Sequence, residues 1–360
     1  MSQDKSRCFV IAEAGVNHDG DVGRAEELIV AAAEAGADAV KFQTFKATSL
    51  TSALAPKAPY QLRATSSAES QQAMLAALEL PLESYVHLMS IAKDRGLVFL
   101  STPFDLESLD FLLGLKLPLI KIGSGDLTNS PLLLEVANSG CKLILSTGMA
   151  DLREVEDALG VLAYGYSGLD ESPGENAFRR ARSDPAVRAK VVKKVTLLHC
   201  TTDYPAKSSD VNLLAMDALG KFGVRVGYSD HTTSVSLPAA AVALGACVIE
   251  KHLTLDCSSP GPDHAASLEP DGFEEMTQAI REVEAALGDG IKQSRACELP
   301  NRDVARKSLV ALVPIQRGDV FTPDNLGVKR PGTGLSPTLY WDYLGKKAKR
   351  DFDSDEMIAL

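Results

Sequence analysis

LIKIGSGDLTNSPLLLEVANSGCKLILSTGM, residues 119–149, contains the repeating unit of the fold. A short apolar run, LIKIGSG from Leu119, ends in glycine and serine; a stretch of helical period follows; a second short apolar run, KLILSTGM from Lys142, ends the same way. That order predicts two parallel strands joined by a crossover helix. The unit recurs in both directions. CFVIAEAG from Cys8, DAVKFQTF from Asp38 and LVFLSTPF from Leu97 precede it, and KVTLLHCT from Lys194, RVGYSDH from Arg225 and CVIEKHLT from Cys247 follow. Eight strand–helix units in about 280 residues predict an α/β fold of the (β/α)8 TIM-barrel type, whose usual size is about 250 residues; a doubly wound sheet seldom needs so many. Helical stretches are legible too, as in Val22–Ala35, where Leu28, Ile29 and Ala32 share a face and Gly36 closes the end.

Composition narrows the class. The chain has 360 residues, 45% hydrophobic and 24% charged, which excludes disorder and collagen. Its net charge of -11 argues against a broad nucleic-acid footprint, so an anionic ligand needs a locally basic pocket. The six cysteines are scattered without a C-x-x-C pair, as expected of free thiols in a reducing cytoplasm. Met1–Val10 lacks a leader pattern and the longest apolar run, Leu237–Ile249, is short for a bilayer, so no membrane partner is expected.

Two segments break the rhythm. Thr51–Gln72 follows the second strand, which places it at the top of a barrel as a lid; Gly165–Lys190 precedes the sixth, which places it at the bottom as spacer or contact surface. After the eighth helix the texture changes to short strands and turns. The expected division is a barrel over 1–291, a linker over 292–304 and a small domain over 305–360 that docks on a barrel, its own or a neighbour's.

Side chains alternate along a strand, so one parity points into the barrel. Phe9 and Ile11 share the parity of Glu13, Ala39 that of Lys41 and Gln43, and Val98 and Leu100 that of Thr102. Lys121, Ser146, Thr202, Ser229 with His231, and Glu250 with His252 end the remaining strands. Active sites of such barrels lie at this carboxyl-terminal face. Lys41 and Lys121 with the hydroxyls of Thr102, Ser146 and Ser229 suit a phosphate or carboxylate. His231 and His252 end neighbouring strands, about 4.8 Å apart in a closed barrel, and suit an open metal site.

These residues lie in a specific set of motifs: IAEAGVNHDGD (11–21), VKFQTF (40–45), STPFD (101–105), IKIGSGD (120–126), ILSTGM (144–149), LLHCTTDYP (197–205), VGYSDHT (226–232), IEKHLT (249–254), PGPDHAASLEP (260–270), then RKSLVA (306–311) and VKRPGTG (328–334). Along nearly its whole length the chain resembles the bacterial sialic acid (N-acylneuraminate) and legionaminic acid synthases, with an antifreeze-like (SAF) domain at the carboxyl end. The resemblance implies condensation of phosphoenolpyruvate with an N-acetylhexosamine, with a divalent metal, Mn²⁺ or Mg²⁺, to give a nonulosonic acid and phosphate. It implies phosphoenolpyruvate on Lys41, Thr102, Lys121, Ser124, Ser146 and Ser229, the metal on His231 and His252, and catalytic carboxylates at Glu13 and Asp263. Gln43, Asp126, Thr202 and Tyr204 would surround the sugar, and Arg330 would reach a partner's site in a domain-swapped homodimer. Asp126 stands where glutamate is common in neuraminate-forming members and Thr202 where asparagine is common. Both changes enlarge the sugar pocket and favour 2,4-diacetamido-2,4,6-trideoxymannose over N-acetylmannosamine as acceptor. The PGPDHAASLEP stretch leans the same way.

Two other classes fit parts of the pattern. A Schiff-base aldolase would use Lys41 or Lys121 as nucleophile and leave the histidines idle. A non-catalytic carbohydrate-binding protein would not need the polar ring.

Overall fold

The computed structural model describes residues 7–65 and 69–359. Residues 1–6, within the stretch where no leader is expected, and 66–68 of the expected lid lie outside the described residues. The chain divides into two units, Met1–Gly288 and Asp289–Leu360.

The first unit is the expected barrel. Its eight parallel strands are β1 (Phe9–Gly15), β2 (Ala39–Thr44), β3 (Val98–Pro103), β4 (Ile120–Ile122), β5 (Leu143–Ser146), β6 (Val195–Cys200), β7 (Arg225–Asp230) and β8 (Val248–His252). They run in the order β3-β2-β1-β8-β7-β6-β5-β4, and β4 packs against β3 to bring the two ends together. Every strand falls within the run that predicts it. The βα turns lead into helices through side-chain caps: Asp21 accepts from the Arg24 amide, Asp105 from Ser108, Asn129 from Leu132, and Asp151 from Arg153 and Glu154. Leu28, Ile29 and Ala32 are buried on the inner face of the first helix, Val22–Glu34.

Two apolar cores confirm the parity argument. The larger lies between sheet and helices. The smaller fills the barrel interior with Ile11, Ala39, Leu100, Ile144, Leu198 and Val248, joined by the partly buried Phe9 and Val98. All of these belong to the inward parity, so the residues one turn of the pleat further on form the barrel's upper floor.

The Thr51–Gln72 segment contains the short helix Pro59–Ala64. The Gly165–Lys190 segment forms a helical pair, Glu175–Ser183 and Pro185–Lys194, laid against the helix Leu152–Ser167. Ala177 and Ala181 are buried there, Phe178 meets Tyr164 edge to face at 5.4 Å, and Arg182 pairs with Glu156 at 2.9 Å. This segment therefore covers a helix flank.

In the second unit, 292–304 carries a short helical turn and most of the helix Leu299–Ala305. β9 (Ser308–Ala311) and β10 (Leu326–Lys329) pair antiparallel, with Leu309 opposite Val328, over a core of Leu309, Ile315, Phe321, Leu326, Phe352 and Ile358. All six cysteines are free thiols. Among the described residues no helix is long and apolar enough to cross a membrane.

Candidate active site

Strand register builds the site. Glu13 lies opposite Lys41 on one side and His252 on the other, Gln43 opposite Thr102, and Ser229 between Cys200 and Glu250. One layer of the barrel thereby juxtaposes opposite charges that are distant in sequence.

The centre is a buried lattice of two lysines and two glutamates. Lys41 pairs closely with Glu13, stands 3.7 Å from Glu250 and donates to Thr102 Oγ1 at 3.2 Å. Lys121 stands 3.2 Å from Glu250, which also accepts from Ser229 Oγ at 2.9 Å. Gln43 donates to Glu13 Oε1 at 3.2 Å. Burial opposes every charge here, and the partners decide the outcome. Burial raises the Glu13 pKa, and the nearby Glu250 adds to that rise against the opposing pull of Lys41. Burial also works against the Lys41 ammonium, but Glu13 and Glu250 more than offset it and hold Lys41 above its ordinary value. For Glu250, burial is outweighed by Lys121 and Lys41, which hold it below the usual range. The lattice thus favours an ionised Glu250 and a protonated Lys41, while burial works against the Glu13 charge that Lys41 supports. An amine held protonated is a poor nucleophile, which counts against Lys41 as a Schiff-base residue.

The second half of the floor is aromatic and imidazole. His231 and His252 have ring centroids 5.6 Å apart. His231 Nδ1 lies 2.7 Å from the Thr201 carbonyl, which fixes the proton on Nδ1 and leaves Nε2 as an acceptor facing Tyr204 Oη at 3.2 Å. The Tyr204 ring stacks on His231 at 4.2 Å. His252 Nδ1 is buried without a hydrogen-bond partner and lies 3.8 Å from Asp263 Oδ2. Burial lowers both imidazoles, His231 to about 4 and His252 well below its usual value, so both rings are neutral at pH 7. Burial, helped by the Glu13 carboxylate, pushes Asp263 up to about 7.

Two glycines leave room for this arrangement. Gly15 has φ +52°, and a Cβ there would lie 3.0 Å from Glu13, 3.3 Å from Gln43 and 3.6 Å from Asp263, so all three side chains converge on its open face. At Gly148 a Cβ would lie 2.2 Å from Thr202 Oγ1, 2.8 Å from Ser124 Oγ and 2.9 Å from Cys200 Sγ.

Ten of the expected residues form one connected floor: Glu13, Lys41, Gln43, Thr102, Lys121, Tyr204, Ser229, His231, His252 and Asp263. Ser124 and Thr202 cluster beside it around Gly148, whose amide donates to Ser124 Oγ at 2.9 Å. The Ser146 and Thr202 hydroxyls are buried with no partner. Asp126 accepts from Asn129 at 2.9 Å in the turn after β4. Arg330 belongs to the second unit, where its Nε donates to the Ala305 carbonyl at 3.0 Å. The central role of Glu250 was visible only as one more polar residue of inward parity; its function as the counter-ion of both lysines comes from barrel closure. Tyr60 was missed. It lies in the lid segment, its ring centroid 4.8 Å from that of Tyr204, and no periodicity marks it.

The NeuB family model matches residues 28–292. The chain belongs to the NeuB family. The SAF domain model matches residues 306–360 of this NeuB chain. It is 48% identical over 353 residues to the N,N'-diacetyllegionaminic acid synthase of Campylobacter jejuni subsp. jejuni, spanning 98% of this chain and 99% of that one. It is 43% identical to the N,N'-diacetyllegionaminic acid synthase of Legionella pneumophila subsp. pneumophila, spanning 94% and 90%. The crystal structure of N-acetylneuraminic acid (sialic acid) synthetase from Leptospira borgpetersenii serovar Hardjo-bovis, in complex with citrate, superposes with a TM-score of 0.65 at 30% identity, over 82% of this chain and 90% of that one. The reaction class expected from the motifs, synthesis of a nonulosonic acid, is the class these relatives carry in their names.

Among the described residues no three His, Cys, Asp or Glu side chains form a closed cage for a divalent cation. Two neutral imidazoles do converge. One has a tautomer fixed by a carbonyl, and the other has a buried nitrogen without a partner, which suits an open site completed by substrate or water.

Proposed function

We propose that this NeuB chain condenses phosphoenolpyruvate with 2,4-diacetamido-2,4,6-trideoxymannose, adding water and releasing phosphate, to give N,N'-diacetyllegionaminate in the cytoplasm. The observation that carries the reading is the meeting, on one buried floor, of an anion-holding half with an imidazole half. The acceptor is chosen from the legionaminic acid synthase relatives, and the free thiols support a reducing compartment.

Lys41, Lys121, Thr102 and Ser229 hold the phosphate and carboxylate of phosphoenolpyruvate, together with the unpartnered Ser146 hydroxyl and with Ser124. Lys41 and Lys121 are already balanced by Glu13 and Glu250, so the incoming anion needs either proton uptake or a cation beside it. His231 and His252 would hold that cation, Mn²⁺ or Mg²⁺. When bound it supplies Lewis-acid polarisation of the acceptor aldehyde. The protein's own groups do the rest. The lysines fix the enol so that its C3 forms the new bond to the aldehyde carbon. Positive charge then develops at C2, beside Glu13. Asp263, with its pKa near 7, gives its proton to the aldehyde oxygen as the carbon–carbon bond forms and takes one back from the water that adds at C2; the new C2 hydroxyl then passes its proton to the departing phosphate as the carbonyl forms. Gln43, Tyr204, Asp126 and Thr202 surround the sugar.

Phosphate release with mass detection of the product tests this directly. Turnover with the diacetamido sugar should exceed turnover with N-acetylmannosamine, disappear with chelator, return with Mn²⁺ and be absent in folded His231→Ala. Preference for N-acetylmannosamine would make the chain a sialate synthase; turnover indifferent to chelator would remove the metal from the scheme.

The reading includes a homodimer in which Arg330 completes the partner's site. Mixing inactive His231→Ala with inactive Arg330→Ala is then expected to restore about a quarter of wild-type activity, from random re-pairing of subunits. No recovery in a mixture shown to have exchanged subunits would confine Arg330 to its own chain.

A further inference from the structure

We infer that Tyr60 is a specificity-determining residue whose ring roofs the acceptor-sugar pocket, an inference that rests on the reaction proposed above. Tyr60 opens the second position of the helix Pro59–Ala64, and its ring lies 4.8 Å from Tyr204, tilted by 35°. Tyr204 in turn stacks on His231 at 4.2 Å and meets His252 edge to face at 5.7 Å. Tyr60, Tyr204 and His231 form a column from the lid segment down to the imidazole half of the floor, with His252 edge-on to its middle ring. Lys41, Lys121 and Glu13 of the anion half lie on β2, β4 and β1, whereas His231 follows β7 and His252 ends β8.

The roof is preformed. Gln61 Oε1 accepts from the Ala58 amide at 2.9 Å and from Gln71 Nε2 at 3.1 Å, Thr51 Oγ1 donates to Gln71 at 2.9 Å, and Gln72 donates to the Thr51 carbonyl at 3.0 Å. Lys57 donates to Thr65 at 3.0 Å and Glu69 at 3.2 Å. These bonds tie the start of the segment to its end and hold the helix beside Tyr204, so the ring is placed by side-chain bonds within the segment before any ligand arrives. Asp263 lies close enough that, after burial, it is what pushes the Tyr60 phenol up. A half-buried ring beside a carboxylate and above two imidazoles suits a ligand with polar edges and an apolar C–H face, which describes an amino sugar and, with its extra methyl end, a 6-deoxy sugar better still. Phosphoenolpyruvate, small and trianionic, gains nothing from such a surface.

Steady-state kinetics of the full-length protein test the assignment. Tyr60→Ala is expected to raise KM for the diacetamido sugar about ten-fold while KM for phosphoenolpyruvate stays within about two-fold, and Tyr60→Phe is expected to restore the acceptor KM because the ring face, not the hydroxyl, makes the contact. Tyr60→Leu keeps apolar bulk, should melt like the wild type, and should still show the raised acceptor KM. An unchanged acceptor KM in Tyr60→Ala and Tyr60→Leu, or an equal rise for both substrates, would overturn the inference. Failure of the wild type to turn over the sugar at all sinks the reaction proposal; wild-type turnover with an unmoved Tyr60→Ala sinks only the roof.

Discussion

Replacement of Lys41 by methionine is expected to lower kcat/KM for phosphoenolpyruvate about a thousand-fold and to destabilise the fold by about 3–5 kcal/mol at pH 8. The ammonium lies between two buried carboxylates, pairing with Glu13 and standing 3.7 Å from Glu250. Methionine fills the space without the charge. Glu250 keeps Lys121 at 3.2 Å, but Glu13 loses its counter-ion in an environment whose burial already raises its pKa. Glu13 will therefore take up a proton on folding. A carboxyl whose folded pKa lies above its unfolded value binds more protons in the folded state, so stability falls as pH rises between the two. Urea unfolding of Lys41→Met should show a penalty that shrinks towards pH 5 and grows towards pH 8. Lys41→Met combined with Glu13→Gln should recover much of the stability but none of the activity. A pH-independent penalty under about 1 kcal/mol would mean that the lattice is hydrated and its charges are not confronting one another.

The second large effect lies outside the site. Lys251 and Asp230 have the opposite parity to the floor residues and are fully buried between barrel and helices, paired at 2.6 Å. Asp230 also accepts from Tyr228 Oη at 2.8 Å, from the Thr232 amide at 2.9 Å and from Thr232 Oγ1 at 3.1 Å. Lys251 also donates to the carbonyls of Thr232 and Ser234, and burial holds its pKa below the ordinary value despite Asp230. This network fixes the turn after β7, which carries His231. Lys251→Met leaves the buried Asp230 carboxyl group without its cation and is expected to cost about 3–5 kcal/mol. Lys251→Met with Asp230→Asn should recover roughly half, since the amide can still accept from Thr232 and Tyr228. Chemical denaturation read by far-ultraviolet circular dichroism distinguishes these outcomes. A single variant as stable as the wild type would show that water replaces the ammonium.

The two predictions concern barrel-strand residues of opposite parity, Lys41 facing inward and Lys251 outward, and their contrast shows how far sequence reasoning extends. The eight strands and the inward parity were legible because each depends on a local quantity: a short apolar run with a glycine-rich end, and a side-chain direction that alternates every residue. Lys41, Lys121, Thr102, Ser229, His231 and His252 were found that way, as members of a ring. Glu13 and Gln43 share the same parity, the motif resemblance added Asp263 and Tyr204, and the structure joins all of them in one floor. The outward-facing Lys251 and Asp230 drew no attention, because no sequence period distinguishes a solvated charge on a strand from one sealed beneath a helix.

By itself, the sequence determined the barrel, its inward face, the change of texture that begins the second domain, and the residue types available for chemistry at the strand ends. Only the tertiary structure decided which charge meets which. Glu250 became the counter-ion of two lysines because barrel closure and register bring β8 within reach of β2 and β4. Tyr60 came to lie over Tyr204 because hydrogen bonds fold an aperiodic segment back over the mouth. The physical reason is the same in both cases. Parity follows from the geometry of one residue, whereas the pKa of a buried group depends on the sum of burial and charges from strands that only closure brings together.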